Sequence, residues 1–179
     1  MTKLKVLLNK ITVVLILFLF IFICNTQSFA FDTNNIYIIS EIDGDYLFVG
    51  GIGTNNYTKI QDAIDNASEK DFVFVYNDSS PYLENLIVNK TIYLIGEDKD
   101  STVIDGKKIS SVVNISANEV TVSGFTIQNS GNNIFDHAGI MISSSKNKII
   151  GNIICYNEDG IFIKNTVFNL ISFNIIKWN

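Results

Sequence analysis

Very few side chains in this sequence could do chemistry, and they are scattered. The one histidine, His137, follows Asp136, a pairing that could serve as a general acid/base or as a ligand-contacting hook. A solvated turn is the plainer reading of the pair, and it outweighs the chemical one. The run Glu97-Asp98-Lys99-Asp100 offers the oxygen ligands calcium takes, yet a charged run at a turn is more commonly plain solvation. Beyond residue 30, soft or imidazole metal ligands are limited to His137, Cys155 and Met141. Met141 and Cys155 are expected to face outward, leaving an exposed thiol at Cys155. No catalytic residue, metal site or cofactor-binding residue is therefore assigned, and no cofactor is expected. Tyr156 and Trp178 hold the same place in two successive repeats, so their rings could stack into a flat strip for sugar faces. A packed corner ladder is the competing account of that pair. The weak ligand-surface candidates are Asp136, His137, Tyr156 and Trp178. Asn56, Asn66, Asn77, Asn89 and Asn114 each open an Asn-x-Ser/Thr sequon, which fits a glycosylated exterior and is also what chance supplies in such a composition.

The elements that would position these residues are legible from Val112 onward. One copy of a repeat runs Gly139-Ile140-Met141-Ile142, Asn147-Lys148-Ile149 and Asn152-Ile153-Ile154-Cys155-Tyr156-Asn157. The next runs Gly160-Ile161-Phe162-Ile163, Asn169-Leu170-Ile171 and Asn174-Ile175-Ile176-Lys177-Trp178-Asn179, with a step of 22 residues from Ile149 to Ile171. A looser copy precedes them in Val113-Asn114-Ile115, Val120-Thr121-Val122 and Phe125-Thr126-Ile127. A period in the range of 20–50 residues marks a solenoid. Within each copy the apolar residues alternate with period two, so the repeat is built of short strands and not of helices. Three short strands per repeat close most economically into a coil whose equivalent strands stack in parallel.

That stacking predicts three inward ladders: Ile115/Ile142/Ile163, Val122/Ile149/Ile171 and Ile127/Ile154/Ile176. Asn152 and Asn174 fall two residues before ladder isoleucines, so they are predicted to point inward with their amides bonded along the axis. The longer step from Ile115 to Ile142 requires a loop, Asn129 to Ala138. Ahead of the coil, Thr58 and Gln61 form a capping-box pattern. Ile60, Ala63, Ile64 and Ala67 follow on one stripe, a short helix that would cover the first rung.

Residues 1–30 read as a signal peptide, with Lys3, Lys5 and Lys10 before the apolar run Ile11–Ile23 and Ser28-Phe29-Ala30 as a cleavage site. Whether it is cleaved or kept as an anchor stays open, although the apolar run is short for a membrane span. Residues 31–56 are a lead-in with Ile36–Ile39 as a strand, and 57–179 form the coil. All 18 acidic residues follow Ala30, and arginine is absent, which excludes a basic nucleic-acid face.

Tyr57 to Ile64, Tyr82-Leu83-Glu84-Asn85, Ile92 to Glu97 and Val103 to Gly106 resemble the opening of pectin-lyase-like right-handed β-helices. Gly160 to Ile163 with Asn169, Ile171, Asn174 and Ile176 resembles the repeat of the NosD-like, carbohydrate-binding and sugar-hydrolase group, which also fills surface adhesin-like proteins. The resemblance implies an all-β, right-handed, single-stranded parallel β-helix of about four to five rungs with an N-terminal capping α-helix. Ser80-Pro81-Tyr82-Leu83-Glu84 is similar to the G-x-Y-x-E motif of pectin methylesterases, with Ser in place of the first Gly. The glutamines, paired aspartates and arginine of that family's active site find no counterpart. The expected role is an exported, extracellular, cell-surface or periplasmic module, non-catalytic, binding polysaccharide or acting as an adhesin-like scaffold. The alternatives are the front of a polysaccharide-active enzyme whose catalytic rungs lie beyond Asn179, and a NosD-like copper-maturation protein. Because the pattern stops at Lys177-Trp178-Asn179 with no polar rung after it, a longer coil is expected, or end-to-end self-association through the last rung.

Overall fold

The computed structural model describes residues 44–132 and 137–179. The signal segment, the expected strand Ile36–Ile39 and Asp136 lie outside the described residues. Within them the chain is a parallel β-solenoid of about five turns. The first sheet stacks β1 (Tyr46–Val49), β2 (Phe72–Val75), β4 (Tyr93–Gly96), β7 (Thr121–Ser123), β10 (Lys148–Ile150) and β13 (Leu170–Ser172) in that order. The second stacks β5 (Val103–Asp105), β8 (Thr126–Gln128), β11 (Ile153–Cys155) and β14 (Ile175–Lys177). The third stacks β3 (Leu86–Val88), β6 (Val113–Ile115), β9 (Ala138–Ile142) and β12 (Asp159–Ile163). From β3 onward the chain visits third, first and second sheets in turn, one strand each per rung.

The ladders fall as the alternation requires. Ile115 pairs with Ile142 and Ile142 with Ile163. Val122 pairs with Ile149 and Ile149 with Ile171, while Ile127, Ile154 and Ile176 align in the second sheet. Leu47, Val73 and Leu94 continue the first-sheet ladder downward, and Ile104 the second. Leu47 at the start of the ladder is partly buried, and from Val73 onward the ladder residues are fully buried until the last rung, where Ile163, Ile171 and Ile176 are 45%, 37% and 50% exposed. Each buried isoleucine is worth about 1.5–3 kcal/mol, so that gain is only partly realised on β12–β14.

Two outward residues are less accessible than the alternation suggests. Met141 and Cys155 do alternate with inward isoleucines, but both are buried. Each is sandwiched in register between side chains one rung away, Asn114 and Phe162 for Met141, Gln128 and Lys177 for Cys155. In a solenoid, outward does not mean exposed when long neighbours stack above and below. Cys155 is thus a 4%-exposed thiol, not a surface one. Burial pushes its pKa up, with the Lys177 ammonium pulling the other way.

The corners carry most of the polar logic. On the last two rungs a residue of positive φ turns the chain at each corner: Lys146 (63°) and Phe168 (61°) before the first sheet, Gly151 (67°) and Phe173 (57°) before the second, Tyr156 (58°) and Trp178 (56°) after it. An asparagine follows every one of these six. The Oδ1 of Asn147 accepts from the Val120 N–H, that of Asn152 from Phe125 and that of Asn157 from Ser130. One rung on, Asn169, Asn174 and Asn179 accept the N–H of Asn147, Asn152 and Asn157 in the same way. The side-chain amides also bond to one another along the axis at 3.1 Å on all three edges. Asn147 and Asn152 are fully buried yet satisfied, since corner backbone groups that no strand can pair find a partner in the amide. At the equivalent bend one rung earlier a glycine is required: a Cβ on Gly124, which has φ +80°, would come within 2.3 Å of the Gly96 carbonyl oxygen.

Among the described residues the helix is α1 (Ile60–Asn66), whose Ile60, Ala63 and Ile64 are buried against the coil. Its N-cap is Lys59 and makes no side-chain cap bond, so the Thr58–Gln61 capping box does not form. Instead the Glu84 carboxylate, 24 residues away, accepts the N–H groups of Ile60 (2.9 Å) and Gln61 (3.0 Å). A two-oxygen anion satisfies two first-turn donors at once and matches the positive end of the helix dipole, which a threonine hydroxyl cannot do. No helix of the described residues is long and apolar enough to cross a membrane.

Candidate functional site

The described candidates all lie in the connections from the second sheet to the third. His137 precedes β9, Tyr156 follows β11 and Trp178 follows β14. The expected loop, Asn129 to Ala138, falls between β8 and β9, with residues 133–136 outside the described residues, and a Cβ added at Gly131 would meet the His137 ring at 2.2 Å. With Asp136 outside the described residues, the pair proposed from sequence cannot be assembled.

Tyr156 and Trp178 do come together. Both are in the left-handed region, which swings their side chains off the corner. Their ring centroids are 5.1 Å apart with planes 21° from parallel, and they remain 54% and 63% exposed. Lys177 sets its Nζ 4.2 Å from the Trp178 ring centroid. The geometry differs from a flat strip, because stacking turns one face of each ring against its neighbour. What the pair offers outward is ring edge, the remaining faces, a phenol hydroxyl, an indole N–H and a nearby ammonium. Such a set can donate hydrogen bonds to hydroxyl-rich ligands and pack against their C–H faces.

The other sequence candidates resolve into structural uses. Asp98 accepts the Asp100 N–H at 3.0 Å and closes its own turn, while Glu97 accepts the Asn77 N–H at 3.0 Å and ties its turn to the one 20 residues earlier. Among the described residues no three of His, Cys, Asp and Glu gather as a metal site. In the Ser80–Glu84 segment, Tyr82 is buried with its hydroxyl donating to the Tyr76 carbonyl at 2.6 Å, and Glu84 holds α1. Burial pushes the Tyr82 hydroxyl up to about 12, opposed by a hydrogen bond with Ser79 and reinforced by Asp78, Glu84 and Glu97.

A feature unsuspected from sequence is the carboxylate of Asp105. It accepts from the Lys107 N–H (2.9 Å), the Gln128 amide (3.1 Å) and the Asn129 amide (2.7 Å). Burial pulls its pKa up, but these three donors together with the Lys107 charge hold it below the usual carboxylate range. The signal available was the recurrence of Asp105, Gln128 and Cys155 at one register position. A second is the outer face of the first sheet, where Tyr46, Phe72 and Tyr93 stack at 4.8 and 4.4 Å.

Residues 97–179 match the model of a family described as a protein of unknown function, DUF1565. The match takes in β5–β14 and with them His137, Tyr156 and Trp178. The chain is also similar to a protein named "Cell surface glycoprotein" from Methanothermus fervidus, 34% identical over 83 residues. That alignment covers 46% of this chain and 14% of the relative's length.

Proposed function

We propose that this chain is an exported module of a cell-surface protein, a right-handed β-helix capped by α1 that binds polysaccharide through the Tyr156–Trp178 corner. The exposed, stacked ring pair with Lys177 beside it is the observation that carries the binding reading. The name of the Methanothermus fervidus relative and the signal-like residues 1–30 support the surface location. The formal net charge of −5 works against strongly anionic glycans, so neutral chains are the expected ligands. The resemblance to pectin-lyase-like and NosD-like repeats supports the handedness and agrees with a carbohydrate ligand.

Trp178 is the one tryptophan of the chain, so its fluorescence reports directly on the corner. Titration with mannan, β-glucan and oligogalacturonate oligomers should shift the emission with a neutral glycan and leave it unmoved with oligogalacturonate. Tyr156→Ala should weaken that response at least tenfold while the far-UV dichroism stays unchanged. An emission spectrum indifferent to all three oligomers would remove the binding reading and leave a plain scaffold.

A further inference from the structure

Five sequons are spread over the N-terminal half of the coil, and the fold treats them differently. The Asn56 amide is bonded to the Gly50 carbonyl, and the Asn66 amide donates to the Asp62 carbonyl at 2.8 Å. The Asn77 amide donates to the Ser101 hydroxyl at 2.9 Å. Asn89 and Asn114 are exposed, and their side-chain amides make no hydrogen bond among the described residues.

Those two also share one face. Asn114 is the outward residue of β6, flanked by buried Val113 and Ile115 and paired in register with Ile87. Val88 pairs with Ile115, so by alternation Asn89 continues the outward row that begins at Ile87. The two amides therefore stand on the outer side of the third sheet, one rung and two residues apart. Ile87, an exposed isoleucine, lies between them. A bulky, solvated group at this place would take nothing from the core and would shield that isoleucine.

We propose that Asn89 and Asn114 are N-glycan attachment sites, which make the outer face of the third sheet a sugar-covered flank. The co-reactant is an oligosaccharide linked through its anomeric carbon to a lipid phosphate. The Asn Nδ2 forms a bond to that carbon, the carbon–oxygen bond to phosphate breaks, the lipid phosphate leaves with the bonding pair, and Nδ2 gives up one proton. The sequon hydroxyls are those of Thr91, which donates to the Asn118 carbonyl at 2.9 Å, and of Ser116. Asn56, Asn66 and Asn77 stay unmodified in the folded protein because their amides already hold the chain.

The test directs the full chain into the yeast secretory pathway, which supplies lipid-linked oligosaccharide, and maps the secreted protein by peptide mass spectrometry. Glycan at Asn89 and Asn114, or at either of them and at no other sequon, supports the proposal. Asn89→Gln with Asn114→Gln together should then abolish the mass shift, whereas Asn66→Gln leaves it intact. Secreted protein carrying no glycan, or carrying one at Asn56, Asn66 or Asn77, overturns it.

Discussion

Replacing Asn152 by alanine tests the corner asparagines most directly. The side chain is fully buried. Its Oδ1 accepts the Phe125 N–H at 3.1 Å, and its Nδ2 donates to the Val122 carbonyl at 3.0 Å and to the Asn174 Oδ1 at 3.1 Å. Alanine leaves a buried N–H and a buried carbonyl short of a partner, at about 1–3 kcal/mol apiece. With some relaxation and water entry the expected loss is about 2–5 kcal/mol. Asn174 makes the same kinds of bond, to the Asn152 N–H at 2.9 Å and the Ile149 carbonyl at 2.7 Å. It sits on the half-open last rung, where water can replace it, so Asn174→Ala should lose about 0.5–1.5 kcal/mol. Asn152→Asp should be nearly as damaging as alanine, because a carboxylate still accepts from Phe125 but turns charge against two acceptors. Urea unfolding followed by far-UV dichroism at low protein concentration reads all three. An Asn152→Ala loss under about 0.5 kcal/mol, or one no larger than that of Asn174→Ala, refutes the idea that these amides carry the corners.

The remaining predictions concern core, helix and pH. Ile149→Ala should cost about 2–5 kcal/mol, and Ile171→Ala, in the same ladder but over a third exposed, clearly less; equal losses in urea unfolding would contradict the burial gradient. Glu84→Gln should cost about 1–2 kcal/mol by setting an amide N–H against a helix donor. Thr58→Ala should stay within about 0.5 kcal/mol of the parent in the same assay, because Thr58 is exposed and is not the cap. Tyr82 has a folded pKa of about 12 against 10.0 unfolded, so the stability it lends is complete below pH 10 and is lost as pH rises towards 12. Tyr82→Phe should flatten the fall of thermal stability over that interval.

The repeat register was readable because it rests on side-chain alternation, which the chain writes locally. Ile149 needs only its neighbours two residues away to declare which side it faces, and the period then names its partners. The stripe Ile60, Ala63, Ile64 was readable for the same reason. What failed depended on groups a rung away. Thr58 looked like a cap because capping boxes are local, whereas the anion that won, Glu84, arrives from across a turn. Cys155 and Met141 looked exposed because alternation says which way a side chain points but not what stands over it. The asparagines were half-read: Asn152 and Asn174 were expected inward. The pairs Asn147–Asn169 and Asn157–Asn179 and the left-handed residue before each belong to one rule visible only once the corners are seen together. At the candidate site, equal spacing disclosed that the Tyr156 and Trp178 rings could stack, but not that Lys177 would set its ammonium 4.2 Å from the Trp178 ring centroid.

The rung-to-rung bonding has a mechanical side. Every backbone and asparagine bond that joins rungs runs along the solenoid axis, and each rung is held only by its neighbours. Tension applied along that axis cannot load all the strands together; it falls on whichever terminal rung holds least. That rung peels away and releases its 22 residues, turning about 5 Å of folded length into about 75 Å of slack chain. The next rung then takes the load. Pulled from its ends, the coil yields in series and dissipates work step by step, a useful property in any filament that has to hold on while it is being tugged.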